Sequence, residues 1–266
     1  MTTLTLTKHH GLGNDFLVLF DPPNSDLAEL ALALCHRHTG LGADGLLVAS
    51  DAEGYAARMT LYNADGSVAE MSGNGIRCFA QAVATRRGDL GPQLILTDAG
   101  DKVVTLANTD DPLTIMAQVE MGPVSSLAEP AGWAAVECHP DRPVAHLSMG
   151  NPHSVVGVDE VAAVDLADLG SRIPHVNLEI VEPGPESNAI TMRVHERGAG
   201  ITAACGTGAC AAAFAARSWG LVAPVEPEVI VHMDGGMATV AFDDSAPPRA
   251  ILTGPATLIA TIEVDR

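Results

Sequence analysis

The sequence predicts an α+β chain built from two pseudo-symmetric halves, each a mostly antiparallel sheet wrapped around one central helix. Three observations carry this reading. The first is a faint internal repeat: SGNGIRCFAQAVATRRG begins at Ser72 and CGTGACAAAFAARSWG begins at Cys205. A shift of 133 positions lays Ser72 on Cys205, Gly73 on Gly206, Asn74 on Thr207, Gly75 on Gly208 and Asn63 on Glu196. A shift of 137 lays Gly13-Asn14 on Gly150-Asn151, each followed by an apolar run. Ordered self-similarity of this kind is the mark of a duplicated unit. The second observation is that both repeated segments are helical in pattern and apolar nearly all round, so each helix needs burial on every side. The third is that each helix stands between strand-like runs and a glycine-centred hairpin.

The elements follow in order. Leu4–Lys8 and Phe16–Phe20 read as strands, and Asp26–His38 as a helix capped by Ser25 or Asp26 and stopped by Gly40. Leu46–Ala49 and Arg58–Tyr62 are strand-like, Asn74–Arg87 is a helix ended by Gly88, and Leu94–Thr97 with Val103–Leu106 form a hairpin around Ala99-Gly100. In the second half, Ile115–Val119, Val144–Ser148 and Ser154–Val158 are strands and Val161–Ser171 a helix. Asn177–Val181 and Ala189–His195 are strands, and Gly208–Trp219 is a helix ended by Gly220. Val229–His232 and Met237–Phe242 flank Gly235-Gly236, and Ala250–Thr253 and Ala256–Val264 close the chain as two further strands. The halves are expected to be residues 1–113 with 255–266, and residues 114–254.

Composition narrows the function. Hydrophobic residues make up 47% and aromatics only 3%, so the core is built from small aliphatic side chains. Net charge is −19 with 14 basic residues, which excludes a nucleic-acid grip, because phosphate neutralisation needs clustered Lys and Arg. No apolar run is long enough to span a membrane, and the N-terminus lacks a signal-like apolar region. Five cysteines without a secretory signal point to reduced thiols and a cytoplasmic protein. The only lysines are Lys8 and Lys102, few candidates for a pyridoxal phosphate Schiff base. Cys35, His36, His38 and the Cys138-His139 pair lack zinc-finger spacing, so no metal site is expected.

The two helix starts carry the chemistry. A helix N-terminus presents unpaired N–H groups and partial positive charge, and glycines there let an anion approach the backbone. Ser-Gly-Asn-Gly at 72–75 and Cys-Gly-Thr-Gly at 205–208 each form such a cradle, and two cradles can hold one carboxylate. The residue before the first glycine then points at the bound molecule. A cysteine in that place is expected to be more acidic than usual, since the dipole favours thiolate.

Beyond these segments, HGLGNDF at 10–16, GLGADG at 40–45, YNADGSVAEMSGNGIRC at 62–78, MGNPH at 149–153, VHERGAG at 194–200 and ACGTGACAA at 204–212 resemble, in order, the signatures of the diaminopimelate epimerase family. The resemblance covers nearly the whole chain. It implies two pseudo-symmetric halves with an active site between them, two cysteines as acid and base, a small amino-acid substrate, and no cofactor. A homodimer is the expected assembly. Position by position, the resemblance makes Cys205 one of the two proton carriers, with Ser72 in the place of the other. Gly73, Asn74, Gly206 and Thr207 bind the reacting carboxylate, and Asn63, Asn177 and Arg197 hold the distal amino-acid end. Asn14 and Asn151 line the same cleft, and His153 and Glu196 support ionisation of the thiols.

Three positions depart from the family. Ser72 stands where it has cysteine, Ile201 where it often has glutamate, and Gly45 where some members carry Gln. The first touches the mechanism. A hydroxyl is a far weaker acid than a thiol and does not readily become a free base. Cys78, six residues on, is expected nearly two turns down the helix and buried. Three readings stay open. One is an epimerase converting LL- to meso-diaminopimelate for lysine and peptidoglycan precursor synthesis, with a native or substituted Ser72. Another is a one-base amino-acid dehydratase of the same superfamily. The last is a catalytically silent amino-acid-binding paralogue or trapped mutant.

Overall fold

A computed structural model describes residues 3–223 and 225–265. The chain is a mixed α/β protein that separates into two compact units, one running up to Val119 and resuming at Gly254, the other spanning Glu120–Thr253. In chain order the elements begin with β1 (Thr3–Gly11), β2 (Asn14–Leu19), α1 (Leu27–Cys35), β3 (Gly45–Ser50), β4 (Ala57–Asn63) and the two-residue β5 (Val68–Ala69). Then come α2 (Gly73–Arg87), β6 (Gln93–Thr97), β7 (Gly100–Asn108) and β8 (Thr114–Pro123). After them follow β9 (Ser125–Ser126), β10 (Val144–Ser148), β11 (Pro152–Gly157), α3 (Leu166–Arg172), β12 (Asn177–Pro183), β13 (Ala189–Glu196) and β14 (Gly200–Thr202). The last are α4 (Gly206–Ser218), β15 (Glu228–Met233), β16 (Gly236–Phe242) and β17 (Arg249–Asp265).

In the first unit β1 pairs antiparallel with β2, β2 parallel with β3, β3 antiparallel with β4, β4 parallel with β6, and β6–β7–β8 antiparallel. β8 also pairs with β17, and β17 with β1, so eight strands close on themselves. Closure leaves no long free edge. Helix α2 packs on β1, β2, β4 and β7 of this barrel, and its residues from Gly73 to Ala84 are buried. Ile76, Cys78, Phe79 and Ala80 are fully enclosed, and the buried polar Asn74, Arg77 and Gln81 are hydrogen-bonded inside. The helix is capped by the Ser72 side chain and ends at Gly88, which adopts the left-handed conformation open to glycine (φ 73°). Helix α1 is shorter than the sequence pattern suggests. It stops at Cys35, where the His36 ring accepts the N–H groups of His38 and Thr39 and turns the chain away.

In the second unit β10 pairs antiparallel with β9 and β11, β11 runs parallel to β12, and β12 antiparallel to β13. β13 pairs parallel with β15, and β15, β16 and the start of β17 form an antiparallel series. Helix α4 packs on β10, β11, β12, β13, β15 and β16 and is alanine-rich where it touches them. Small side chains let the strands approach it closely. The segment expected as one helix at 161–171 divides into a 3₁₀ turn at Val161–Ala163 and α3, because Asp165 caps a new start by accepting the Asp168 N–H. The two expected C-terminal strands are one continuous β17. Its Pro255 carbonyl accepts a hydrogen bond from the Arg77 guanidinium. Among the described residues no helix is long and apolar enough to cross a membrane.

Candidate functional site

In each unit several of the predicted residues gather at the start of the central helix. In the first, Ser72 has extended backbone angles (φ −138°, ψ 124°), and its Oγ accepts the Gly75 N–H at 3.0 Å. Asn74 is buried and donates through Nδ2 to Asn14 Oδ1 at 3.3 Å, while its own Oδ1 accepts from Arg77 at 2.8 Å. Arg77 is fully enclosed and also donates to the Gly73 carbonyl, which ties the first turn of α2 together. Asn14 donates to Asp44, and Arg37 bridges Asp44 and Asp15 at 2.7 Å each. Burial pushes the Asp15 carboxyl up, but Arg37 and Lys8 more than offset this and hold it below its ordinary range. Asn63, at the end of β4, donates to Ser67 Oγ at 3.0 Å. Gly45 pairs with Asn63 across β3 and β4, and a Cβ on it would lie 2.8 Å from the Tyr62 carbonyl. A longer side chain at residue 45 therefore requires a different local backbone.

The second unit is more polar. Cys205 caps α4 with closely similar backbone angles (φ −127°, ψ 117°), and its Sγ accepts the Gly208 N–H at 3.4 Å. Thr207 Oγ1 lies 3.5 Å from the sulfur and receives a hydrogen bond from Asn151 Nδ2 at 3.3 Å. Asn151 Oδ1 in turn faces His153 Nε2 at 2.9 Å, and His153 Nδ1 meets Glu179 Oε1 at 2.6 Å. His153 and Glu179 are both buried, and the second carboxylate oxygen, Oε2, has no hydrogen-bond partner among the described residues. Glu196 accepts from Thr202, and its negative charge acts on the Cys205 thiol. Asn177, on the same face of β12 as Glu179, accepts the backbone N–H of the exposed Arg197 at 2.8 Å.

One expectation is corrected. The helix dipole was expected to make Cys205 acidic, but the thiol is held well above its ordinary pKa. Burial is the main cause, and the negative charges of Glu196 and Glu179 add to it. Cys205 therefore rests protonated, as an acid. Cys78, on the inner side of α2, is fully buried and pushed up to about 12 by burial. Sequence reasoning did not single out Glu179. Its signal was a carboxylate inside the otherwise apolar run NLEIV, two residues from Asn177 and so on its face. It also passed over Thr202, Asp44 and Arg37, whose roles depend on partners far along the chain. Among the described residues no group of three or more His, Cys, Asp or Glu is placed to hold a metal ion.

The family model described as diaminopimelate epimerase matches residues 6–127 and 145–259. A diaminopimelate epimerase of Halothermothrix orenii is 34% identical over 97% of this chain and 96% of its own. One from Thermosynechococcus vestitus is 37% identical over 97% of this chain and 98% of its own. Among solved structures, a phenazine biosynthesis protein of the PhzF family from Bacillus anthracis superposes with a TM-score of 0.77 at 14% identity, covering all of both chains. That likeness speaks for the fold. The family model and the sequence relatives place this protein among the amino-acid epimerases and isomerases. Within that class, the chain belongs to the diaminopimelate epimerase family.

Proposed function

We propose that the protein interconverts LL- and meso-diaminopimelate by proton transfer at the α-carbon, without a cofactor. The observation that carries this reading is the Cys205 thiol at the start of α4, held protonated beside Glu196 and next to the cradle N–H groups of Gly206 and Thr207. A carboxylate bound at such N–H groups loses part of its negative charge, which stabilises the α-carbanion. In one direction Cys205 gives its proton to that carbanion, and the resulting thiolate is stabilised by the Gly208 N–H. In the other direction Cys205 hands its proton to Glu196 and then takes one from the α-carbon. Ser72 meets the opposite face of the same carbon. Gly73 and Asn74 share the carboxylate, Asn63, Asn177 and Arg197 hold the distal end, and Asn14 and Asn151 complete the site.

The two halves of this reading, residues 1–113 with 255–266 and residues 114–254, are copies of one unit. Support comes from the matching order of parallel pairs, β2 with β3 and β4 with β6 in one, β11 with β12 and β13 with β15 in the other. Within the same reading the enzyme is a cytoplasmic homodimer. Its five free thiols suit a reducing compartment, and light scattering that found a monomer would remove the dimer.

One observation favours a one-base reaction as the second reading. A Cβ built on Gly75 would lie 3.1 Å from Ser72 Cβ and 3.4 Å from the apolar Leu47, where the second unit has Glu179 beside Gly208. Incubating LL- and meso-diaminopimelate separately in heavy water, with no cofactor added, tests both. Deuterium uptake with inversion supports the epimerase. Elimination from a substrate with a β-leaving group, and no inversion, supports the one-base reading. No turnover of either kind would leave an amino-acid-binding protein.

A further inference from the structure

Glu179 lies in the second unit on β12, inside a strand whose neighbours Leu178 and Ile180 are core residues. A carboxylate with no exposed surface is costly unless it is paired, and this one spends only one of its oxygens on a partner. Its other contact is with the helix start. A Cβ built on Gly208 would lie 2.7 Å from Glu179 Oε1 and 3.3 Å from Cys205 Sγ. The glycine is what lets the carboxylate reach the underside of the cradle. In the first unit the matching place under Gly75 holds Leu47, and the residue aligned with His153 at the start of its parallel pair is Phe16. One helix start thus sits on an apolar floor, the other on a buried acid and imidazole.

The proton count of this floor is determined by its partners. With Asn151 donating through Nδ2 to Thr207, its Oδ1 can only accept, so His153 Nε2 carries a hydrogen. One proton then lies between His153 Nδ1 and Glu179 Oε1. The amide of Asn151 orients its neighbours but does not pass protons on. The series Glu179, His153, Asn151, Thr207, Cys205 is therefore a brace rather than a wire.

We propose that Glu179 is a positioning residue for Cys205: from beneath the helix start it fixes the His153 ring, and through Asn151 it sets Thr207 against the sulfur. The charged groups that act on the thiol are Glu196 on β13 and Glu179 on β12, with His153 on β11 beside the latter. This rests on the proposed use of Cys205 as a proton carrier. The decisive measurement, however, needs no substrate and stands or falls separately from the identity of the amino acid.

Glu179→Gln keeps the size of the side chain and a hydrogen bond to His153 but removes the acid. The test is the pH dependence of Cys205 alkylation in the full-length protein, read by peptide mapping, with thermal unfolding as the check on folding. The expected result is a midpoint about one pH unit lower than in the parent, tenfold more thiolate at a given pH. A fall in kcat of at least about tenfold with little change in KM should accompany it. An unchanged midpoint and unchanged kcat in a folded Glu179→Gln protein would overturn the proposal and leave Glu179 as packing. If Glu179→Gln does not fold, Glu179→Asp is read instead. It draws the carboxylate back by one methylene, so a lowered midpoint supports the proposal and an unmoved one refutes it.

Discussion

Ser72→Cys exchanges a hydroxyl for a thiol at the N-cap of α2, and the second unit already displays the geometry such a thiol would take. The caps have nearly the same backbone angles, and the sulfur of Cys205 accepts its N–H at 3.4 Å where the Ser72 oxygen accepts at 3.0 Å. The larger atom should therefore fit with little backbone change, and the weaker acceptor costs at most about 1 kcal/mol of capping. The chemical gain is larger. A thiol's pKa of about 8.5 lies near working pH, whereas a hydroxyl's lies far above it. A positioned acid or base is worth roughly a hundred- to ten-thousand-fold. The apolar Leu47 against the first turn of α2 makes a thiolate at residue 72 costly, which places the gain near the low end. Inversion is expected to speed up by at least about tenfold, or about 1.4 kcal/mol of barrier. The assay compares initial rates of deuterium uptake and of inversion from LL- and meso-diaminopimelate. In the Ser72 protein one diastereomer should exchange faster, because only one face meets a thiol, and Ser72→Cys should narrow the difference. Equal exchange from both diastereomers in the Ser72 protein, with no gain from the substitution, would refute residue 72 as the second proton carrier.

Other outcomes follow from burial. In the resting protein Cys138, the one half-buried thiol, should be alkylated first at neutral pH, with Cys205 following only as pH rises; early labelling of Cys205 in peptide maps would contradict the raised thiol. Cys35 and Cys78 are both pushed from 9.0 up to about 12, chiefly by burial, so their contribution to stability is intact below pH 9 and is lost as pH rises toward 12. At pH 10.5 each should weaken folding by about 2 kcal/mol, visible in urea unfolding and reduced in Cys78→Ala relative to its own value at pH 7; a flat profile would count against it. Gly208→Ala drives a methyl to 2.7 Å from Glu179 and should cost about 1–3 kcal/mol, more than Gly75→Ala, whose methyl lies no nearer than 3.1 Å to Ser72 Cβ and 3.4 Å to the flexible end of Leu47; equal losses in thermal melts would argue against the buried contact.

Local patterns carried the parts of this protein that depend on nearby residues. The apolar runs within 74–87 and 208–219 announced two buried helices, and Gly-x-Gly behind Ser72 and Cys205 announced their caps, because capping and periodicity act over three or four residues. The motif series was enough to indicate the family. Other features depended on pairings between distant segments. The end of α1 at Cys35, the break before α3 and the unbroken β17 were decided by turns, caps and strand partners that the apolar pattern does not encode. The acidity of Cys205 was misjudged for the same reason. A helix start favours thiolate, but the fold buries the sulfur and brings Glu179 and Glu196 to it, and desolvation with like charge outweighs the dipole. Glu179 itself became meaningful only when parallel pairing of β11 with β12 set it beside His153, 26 residues earlier in the chain. The sequence by itself determined which helices are buried and which residues begin them. Only the tertiary structure decided what lies beneath each helix start, since that follows from strand register, a long-range property that no local spacing records.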